Sequence, residues 1–392
     1  MGRRGANEGS IYRQRDGLWA ASLQLGYENG KRVRKYFYGT TQQEVQQKRD
    51  AAKLSLSTGQ PISPDRTRLG QYLDQWLETV ARRNTRPKTY LTYRDLVELH
   101  LKPGLGGVPL GKLGPQEIQK FINRKIDAGL SLKTVKHIRD TLRNALNVAC
   151  REWQLIPQNP ATKVRLPRIP KREMRFLTLS DARVFIDTSR DHELEALFEV
   201  ALLLGMRQGE LLGLRWPDID FEQRCIKVQT SLLWFNGKFH FAEPKSEKGR
   251  RTLPLPEFVC RALLKHRATQ DERRLAAGSK WQERGLVFPT SVGTPMHRRN
   301  VLRKYYRFMR IGGLPEIRFH DLRHSAAAIW ISQGASPKLL QVIMGHADFA
   351  TTMNLYGHLF EEVKRETADR IGSLFEPVAV PMAVRRPAQK PN

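Results

Sequence analysis

The chain has 392 residues, more than one ordinary core holds, so two or three domains are expected. Its formal net charge of +28, from 67 Lys and Arg against 39 Asp and Glu, calls for a polyanionic partner, nucleic acid first and a ribosomal surface second. A hydrophobic share of 40% argues against disorder, and no run of about 18 apolar residues signals a membrane span.

The N-terminal residues are basic with no apolar segment behind them, so no signal peptide is expected. Cys150, Cys225 and Cys260 are far apart and odd in number, which suits reduced thiols rather than disulfides or a zinc site. In residues 1–57 the hairpin signals Asp16-Gly17 and Asn29-Gly30 separate strands over 10–13, 18–25 and 32–38. A polar helix over 42–54 follows, capped by Thr40 or Thr41. Arg13, Arg15, Arg32, Arg34 and Lys35 make this sheet a candidate DNA surface, against the plainer reading of a solvated basic face.

Residues 57–65 form a linker holding two prolines. Residues 66–165 are helical, with helices opening near Leu69, at Pro87, at Pro115 and at Ser131. Arg86, Lys88, Tyr90, Lys133, Thr134, Lys136 and Arg139 are candidate phosphate or base contacts on exposed faces. A second linker over 159–175 is rich in Pro, Arg and Lys, as a strap lying along a phosphate backbone would be. The third domain, 174–376, opens on a helix capped at Thr178. The apolar run 194–204 predicts a buried helix ended by Gly205. Short strands of one small sheet are expected at 225–228, 239–241 and 251–255, then helices from Pro256, with a last amphipathic helix over 360–374. Residues 377–392 read as a basic, Pro-rich, mobile tail. The fold class is therefore multidomain and mainly α with small β-sheets: a three-stranded sheet plus helix, a helical domain, and a mixed α+β domain.

The chemistry gathers late in the chain. Arg318-Phe319-His320-Asp321-Leu322-Arg323-His324 is followed by Met344-Gly345-His346 and then Tyr356. Gly205-Met206-Arg207-Gln208-Gly209-Glu210 adds another arginine. Two guanidiniums, two imidazoles and a phenol suit a phosphodiester: cations for the oxyanions, a base, and a hydroxyl to attack.

These residues resemble the tyrosine recombinase (phage integrase) family, whose pattern is Arg, Lys, His-x-x-Arg, His or Trp, Tyr. It falls in order on Arg207, Lys245, His320 with Arg323, His346 and Tyr356. The resemblance implies that Tyr356 attacks a DNA phosphodiester, forming a 3′-phosphotyrosyl link and freeing a 5′ hydroxyl. Arg207 and Arg323 would grip the non-bridging oxygens, since a guanidinium fork pairs with phosphate and stays charged. His320 would be the general base, His346 a donor to the phosphate, and Lys245, in a turn between strands, the acid for the leaving oxygen. Glu210 is expected to orient Arg207, and Asp321 to cap the helix beginning there. His324 and His358 are left outside the site.

The link conserves bond energy, so no cofactor is expected, and the chain has no Gly-x-x-x-x-Gly-Lys-Ser/Thr loop. Asp218 and Asp220 are assigned to the start of the sheet rather than to a metal site. The resemblance further implies an arm-type DNA-binding sheet, a SAM-like core-binding domain and a tyrosine recombinase catalytic domain. It also implies double-stranded DNA attachment sites, a homotetramer on DNA, a host DNA-bending protein and an excision factor as partners, and a place with the nucleoid in a bacterial cytoplasm. An integrase that inserts and excises a phage or other mobile element is the leading reading. A DNA-binding regulator or inactive relative, an Xer-like resolvase and a type IB topoisomerase are the alternatives.

Overall fold

The computed structural model describes residues 10–14, 17–28, 31–57, 67–170, 174–244, 249–373 and 375. The chain divides into two compact units, 1–171 and 172–392.

In the first unit, β1 (Ile11–Arg13), β2 (Trp19–Glu28) and β3 (Lys31–Gly39) pair antiparallel in that order. Helix α1 (Gln42–Ser57) lies against β2 and β3. Thr41 Oγ1 accepts the Glu44 N–H at 3.2 Å, and Glu44 Oε2 accepts the Thr40 N–H at 3.0 Å, so the start of α1 is capped from both sides. Ala21, Leu23 and Val45 are buried. Tyr12 and Tyr38 lie opposite Ala20, and Tyr36 lies opposite Ser22. That register lines the three exposed tyrosines along one face of the sheet.

The helices that follow enclose a core of their own, with Leu69, Tyr72, Leu73, Val97, Leu101, Ile118, Phe121, Ile138 and Leu142 all buried. α2 (Leu69–Trp76) passes through a π-turn over Leu77–Ala81 into α3 (Arg82–Asn84). α4 (Pro87–Leu96) does the same over Val97–Leu101 into α5 (Lys102–Leu105). α6 (Pro115–Asp127) and α4 both begin on proline, whose missing N–H costs nothing in a first turn. α7 (Leu132–Arg151) is capped by Ser131, which accepts the Thr134 N–H at 3.1 Å. The Tyr72 hydroxyl donates to the Ala145 carbonyl at 2.6 Å and ties α2 to α7.

The second unit begins with α8 (Leu179–Ser189), α9 (Glu195–Leu204) and α10 (Gln208–Gly213). α9 is buried on nearly every side, as its apolar sequence demands, and ends on Gly205 at φ +60°. β4 (Ile219–Asp220), β5 (Cys225–Val228) and β8 (Arg251–Pro254) form one antiparallel sheet. β6 (Ser231–Phe235) and β7 (Lys238–Ala242) form a separate hairpin, turning through Asn236 and Gly237 at φ +49° and +70°. The expected single sheet is thus two, because the strand at 239–241 pairs with β6 and not with β5. α11 (Glu257–Ala277), α12 (Arg298–Ile311), α13 (Asp321–Ser332), α14 (Pro337–Met344) and α15 (Phe349–Ser373) complete the unit. α15 begins before Tyr356 and carries it, so the last helix starts 11 residues earlier than 360, at Phe349.

Candidate active site

Three arginines converge on the C-terminal end of α14. Arg251 Nε donates to the Ile343 carbonyl at 2.7 Å, Arg323 Nη2 to that of Met344, and Arg207 Nη2 to that of Gly345 at 3.3 Å. The last carbonyls of a helix lack intrahelical partners and carry the negative end of its dipole, so they are natural seats for guanidiniums. Arg323 Nη1 also donates to the Gly205 carbonyl at 2.6 Å, the C-cap of α9. Two helix ends therefore hold Arg323.

Glu210 is the anionic hub between them. It accepts Arg207 Nη1 at 2.7 Å and the Arg207 N–H at 3.0 Å, while Arg251 Nη2 donates at 2.8 Å. Burial raises its carboxyl, but Arg251 and then Arg207 outweigh that and hold it at about 2. Arg323 is only 3% exposed; burial and the neighbouring Arg207 and Arg251 disfavour its charge. Three guanidiniums against one carboxylate leave an uncompensated positive site, the setting an anion relieves.

Tyr356 lies on α15 with no exposed surface. Its ring is near-parallel to that of His346, 6.3 Å between centroids. His346 Nδ1 is paired with Thr352 Oγ1 at 2.9 Å, and burial, then Arg323 and Arg207, push its pKa down to about 4. Burial pushes the Tyr356 phenol up to about 12, against a smaller lowering by Arg323.

The Tyr356 hydroxyl meets His324 Nδ1 at 2.8 Å. His320 is exposed at the start of α13; its ring makes no hydrogen bond to another described residue and meets that of His324 at 5.6 Å. His324, which the sequence reading leaves outside the site, is thus the residue in contact with the Tyr356 hydroxyl, and positions 320 and 324 are one helical turn apart on one face. His358 is exposed on α15, outside the site. The Asp321 carboxylate turns back to accept the Arg318 N–H at 2.9 Å and its guanidinium, so its cap serves the turn before α13. Asp218 and Asp220 accept the N–H groups of Arg215 and Gln223 at 3.3 and 2.8 Å, at either end of β4.

Lys245 lies outside the described residues. Arg250 and Glu243, which flank it in the chain, form an ion pair at 2.5 Å. Of the N-terminal candidates, Arg13 and Arg34 are exposed, and Arg13 Nε donates to the Gly17 carbonyl at 3.2 Å. Arg15 and the side chains of Arg32 and Lys35 lie outside the described residues. In the helical domain, Arg86, Lys88 and Lys133 are exposed. Tyr90 donates to Glu78 at 2.8 Å, Thr134 shares a 2.8 Å hydrogen bond with Ser131, and Lys136 and Arg139 both pair with Asp140 at 2.5 and 3.0 Å. Sequence reasoning passed over α12, where Arg298, Arg299, Arg303, Arg307 and Arg310 are exposed. Gln208, the neighbour of Arg207, donates to the Arg298 carbonyl at 3.3 Å and brings that helix beside the site.

Residues 175–362 match the model of the phage integrase family, and residues 68–126 match that of the phage integrase N-terminal SAM-like domain. A relative described as tyrosine recombinase XerC-like, from Caldanaerobacter subterraneus subsp. tengcongensis, is 32% identical over 89% of this chain and 94% of its own. The Tn1549 transposon integrase, solved with transposon right end DNA, superposes with a TM-score of 0.66 at 23% identity over 78% of this chain and 99% of its own. The lambda integrase, solved as a tetramer on a Holliday junction, superposes with a TM-score of 0.53 at 21% identity over 86% of this chain and 95% of its own. The chain belongs to the tyrosine recombinase, or phage integrase, family. Its activity is that of a tyrosine-type site-specific DNA recombinase, an integrase. No helix among the described residues is long and apolar enough to cross a membrane.

Proposed function

We propose that Tyr356 is the nucleophile and that Arg207, Arg323, His320 and His346 surround the scissile phosphate, with Lys245 protonating the leaving 5′ oxygen. The observation that carries this is the meeting of Arg207 and Arg323 at the end of α14, two residues before His346, whose ring lies beside Tyr356. Negative charge grows on the non-bridging oxygens as Tyr356 Oη bonds to phosphorus, and guanidiniums already fixed by carbonyls need no reorganisation to meet it. The product is a 3′-phosphotyrosyl link; a 5′ hydroxyl of a partner duplex reverses the step and completes strand transfer.

On this reading the chain integrates and excises a phage or other mobile element in a bacterial cytoplasm, as a homotetramer on attachment-site DNA, with a host DNA-bending protein and an excision factor. Residues 1–57 act as an arm-type DNA-binding domain, in which Tyr12, Tyr36 and Tyr38 join Arg13 and Arg34. Residues 66–165 act as the core-binding domain, 174–376 as the catalytic domain, and 377–392 as a basic tail.

A nicked suicide duplex carrying the DNA that flanks the gene tests the chemistry. Incubated without metal and run on a denaturing gel, it gives a slow covalent band with the wild-type chain and none with Tyr356→Phe, while gel shifts of the two coincide. A covalent band that survives Tyr356→Phe removes Tyr356 as nucleophile.

A further inference from the structure

The Tyr356 hydroxyl has one hydrogen-bond partner among the described residues, and it is not in the His-x-x-Arg element. His324 Nδ1 stands 2.8 Å from Oη, with the two rings tilted by 59°. The other histidines are placed for other work. His346 Nδ1 is taken by Thr352, and its ring, near-parallel to that of Tyr356, makes no hydrogen bond to the Tyr356 hydroxyl. His320, just before α13 and one turn from His324, is exposed and reaches His324 rather than Tyr356.

The direction of the hydrogen bond follows from the surroundings. Tyr356 is buried, which keeps its proton on oxygen. His324 is held neutral by burial first, then by His320 and Arg323, against the opposing carboxylate of Asp321. A protonated phenol facing a neutral imidazole donates to it, so Nδ1 is the acceptor and Nε2 carries the ring hydrogen. An acceptor already within hydrogen-bond distance of the attacking oxygen is what a general base requires.

We propose that His324 is the catalytic base for the nucleophile. As Tyr356 Oη forms its bond to phosphorus, its proton passes to His324 Nδ1. The bond from phosphorus to the 5′ oxygen breaks, and that oxygen takes a proton from the acid on its own side. In the return step the 5′ hydroxyl gives its proton to that acid's conjugate base as it attacks phosphorus, and the His324 imidazolium returns a proton to Oη. His320 is thereby left to the phosphate oxygens beside Arg323. This inference rests on Tyr356 being the nucleophile.

The test uses the full chain and a suicide duplex that the wild-type chain cleaves, in two forms: an ordinary phosphodiester, and a 5′-bridging phosphorothiolate whose sulfur leaves without needing a proton. His324→Ala and His324→Gln are both measured at saturating protein. Gln keeps a polar side chain of similar size but cannot take up a proton, and it supplies the read-out should the alanine variant fail to fold. The expected result is DNA binding unchanged by gel shift and single-turnover cleavage slowed by about 100-fold or more, in the range of a lost general base. The deficit persists undiminished on the phosphorothiolate, whereas that of Lys245→Ala shrinks there. Cleavage by His324→Gln within a few-fold of wild type overturns the proposal, as does a deficit that the phosphorothiolate erases. Either result with Tyr356→Phe still inactive removes only the role of His324; a covalent band from Tyr356→Phe removes the nucleophile assignment and this inference with it.

Discussion

Glu210 decides how two of the three arginines behave. It is 3% exposed and bonded to Arg207 and Arg251, so replacing it leaves the buried Arg251 guanidinium and the half-buried Arg207 without their counter-charge. Breaking a buried pair from one side costs roughly 3–5 kcal/mol. Glu210→Gln is therefore expected to lower the urea-unfolding free energy by that order. It should also slow suicide-substrate cleavage more than it weakens DNA binding. The same carboxylate sets an acid limit. Its pKa in the folded chain is about 2, below the ordinary 4.5, so its contribution is complete above 4.5 and disappears as pH falls through 2. His324 and His346, both at about 4 against an ordinary 6.5, act in an earlier window: the unfolded chain takes up their protons first, so stability falls as pH drops from 6.5 towards 4. Urea titrations from pH 7 to pH 2 should show both losses in the wild type, and a smaller loss below pH 4.5 in Glu210→Gln, where Asp321 and other paired carboxylates still contribute. An unchanged slope below pH 4.5 in that variant would contradict the role given to Glu210.

At the scale of elements, the end of α14 is the seat of the site, and backbone carbonyls make it so. Sequence reasoning reached the side chains and missed their seat, because a carbonyl has no residue type to read. It found α9 from its nearly all-apolar run, α7 from Ser131, and the three-stranded sheet from its two hairpin signals, since each rests on local chemistry. The β6–β7 hairpin escaped because Ser231-Leu232-Leu233-Trp234-Phe235 shows no clean alternation and its partner is fixed only by pairing. The start of α15 had a local signal that the sequence reading passed over: Asp348 stands just before Phe349 and accepts the Thr351 N–H at 2.7 Å, as a helix N-cap does. Gly205 tests how much the helix ends matter. At φ +60° a Cβ there would stand 2.9 Å from Met344 Cε and 3.2 Å from Ala326 Cβ. The left-handed backbone alone costs a non-glycine residue about 1–2 kcal/mol. Gly205→Ala should lower stability by at least that order. Because the Gly205 carbonyl holds Arg323, it should also lower cleavage at saturating protein, where instability alone is compensated. Wild-type cleavage by a destabilised Gly205→Ala would show that Arg323 is held by Met344 alone.

At the scale of the whole molecule, each compact unit is built on apolar residues of its own. The second holds Phe185, Phe198, Tyr305 and Phe288 in its core, together with Arg207, Glu210, Arg251, His320, Arg323, His324, His346 and Tyr356. A unit that owns its core and its chemistry should fold and cut without the other. Residues 172–392 expressed alone are expected to unfold cooperatively and to give the covalent band at raised protein concentration. Binding should change in a different way. Each phosphate neutralised by Lys or Arg releases a counterion, so the fall of affinity with salt counts phosphate contacts, by about 0.9 in the log–log slope per contact. Removing residues 1–171 removes Arg13, Arg34, Lys88, Lys133 and the tyrosine face of the sheet. The fragment should therefore bind more weakly and with a slope shallower by several contacts. If its slope matched that of the full chain, the basic residues of the first unit would be solvated surface, and the arm-type and core-binding assignments would fall while the cleavage chemistry stood. If the fragment bound with a shallower slope but gave no covalent band, the second unit would own the residues of the site without being able to set them for cleavage alone.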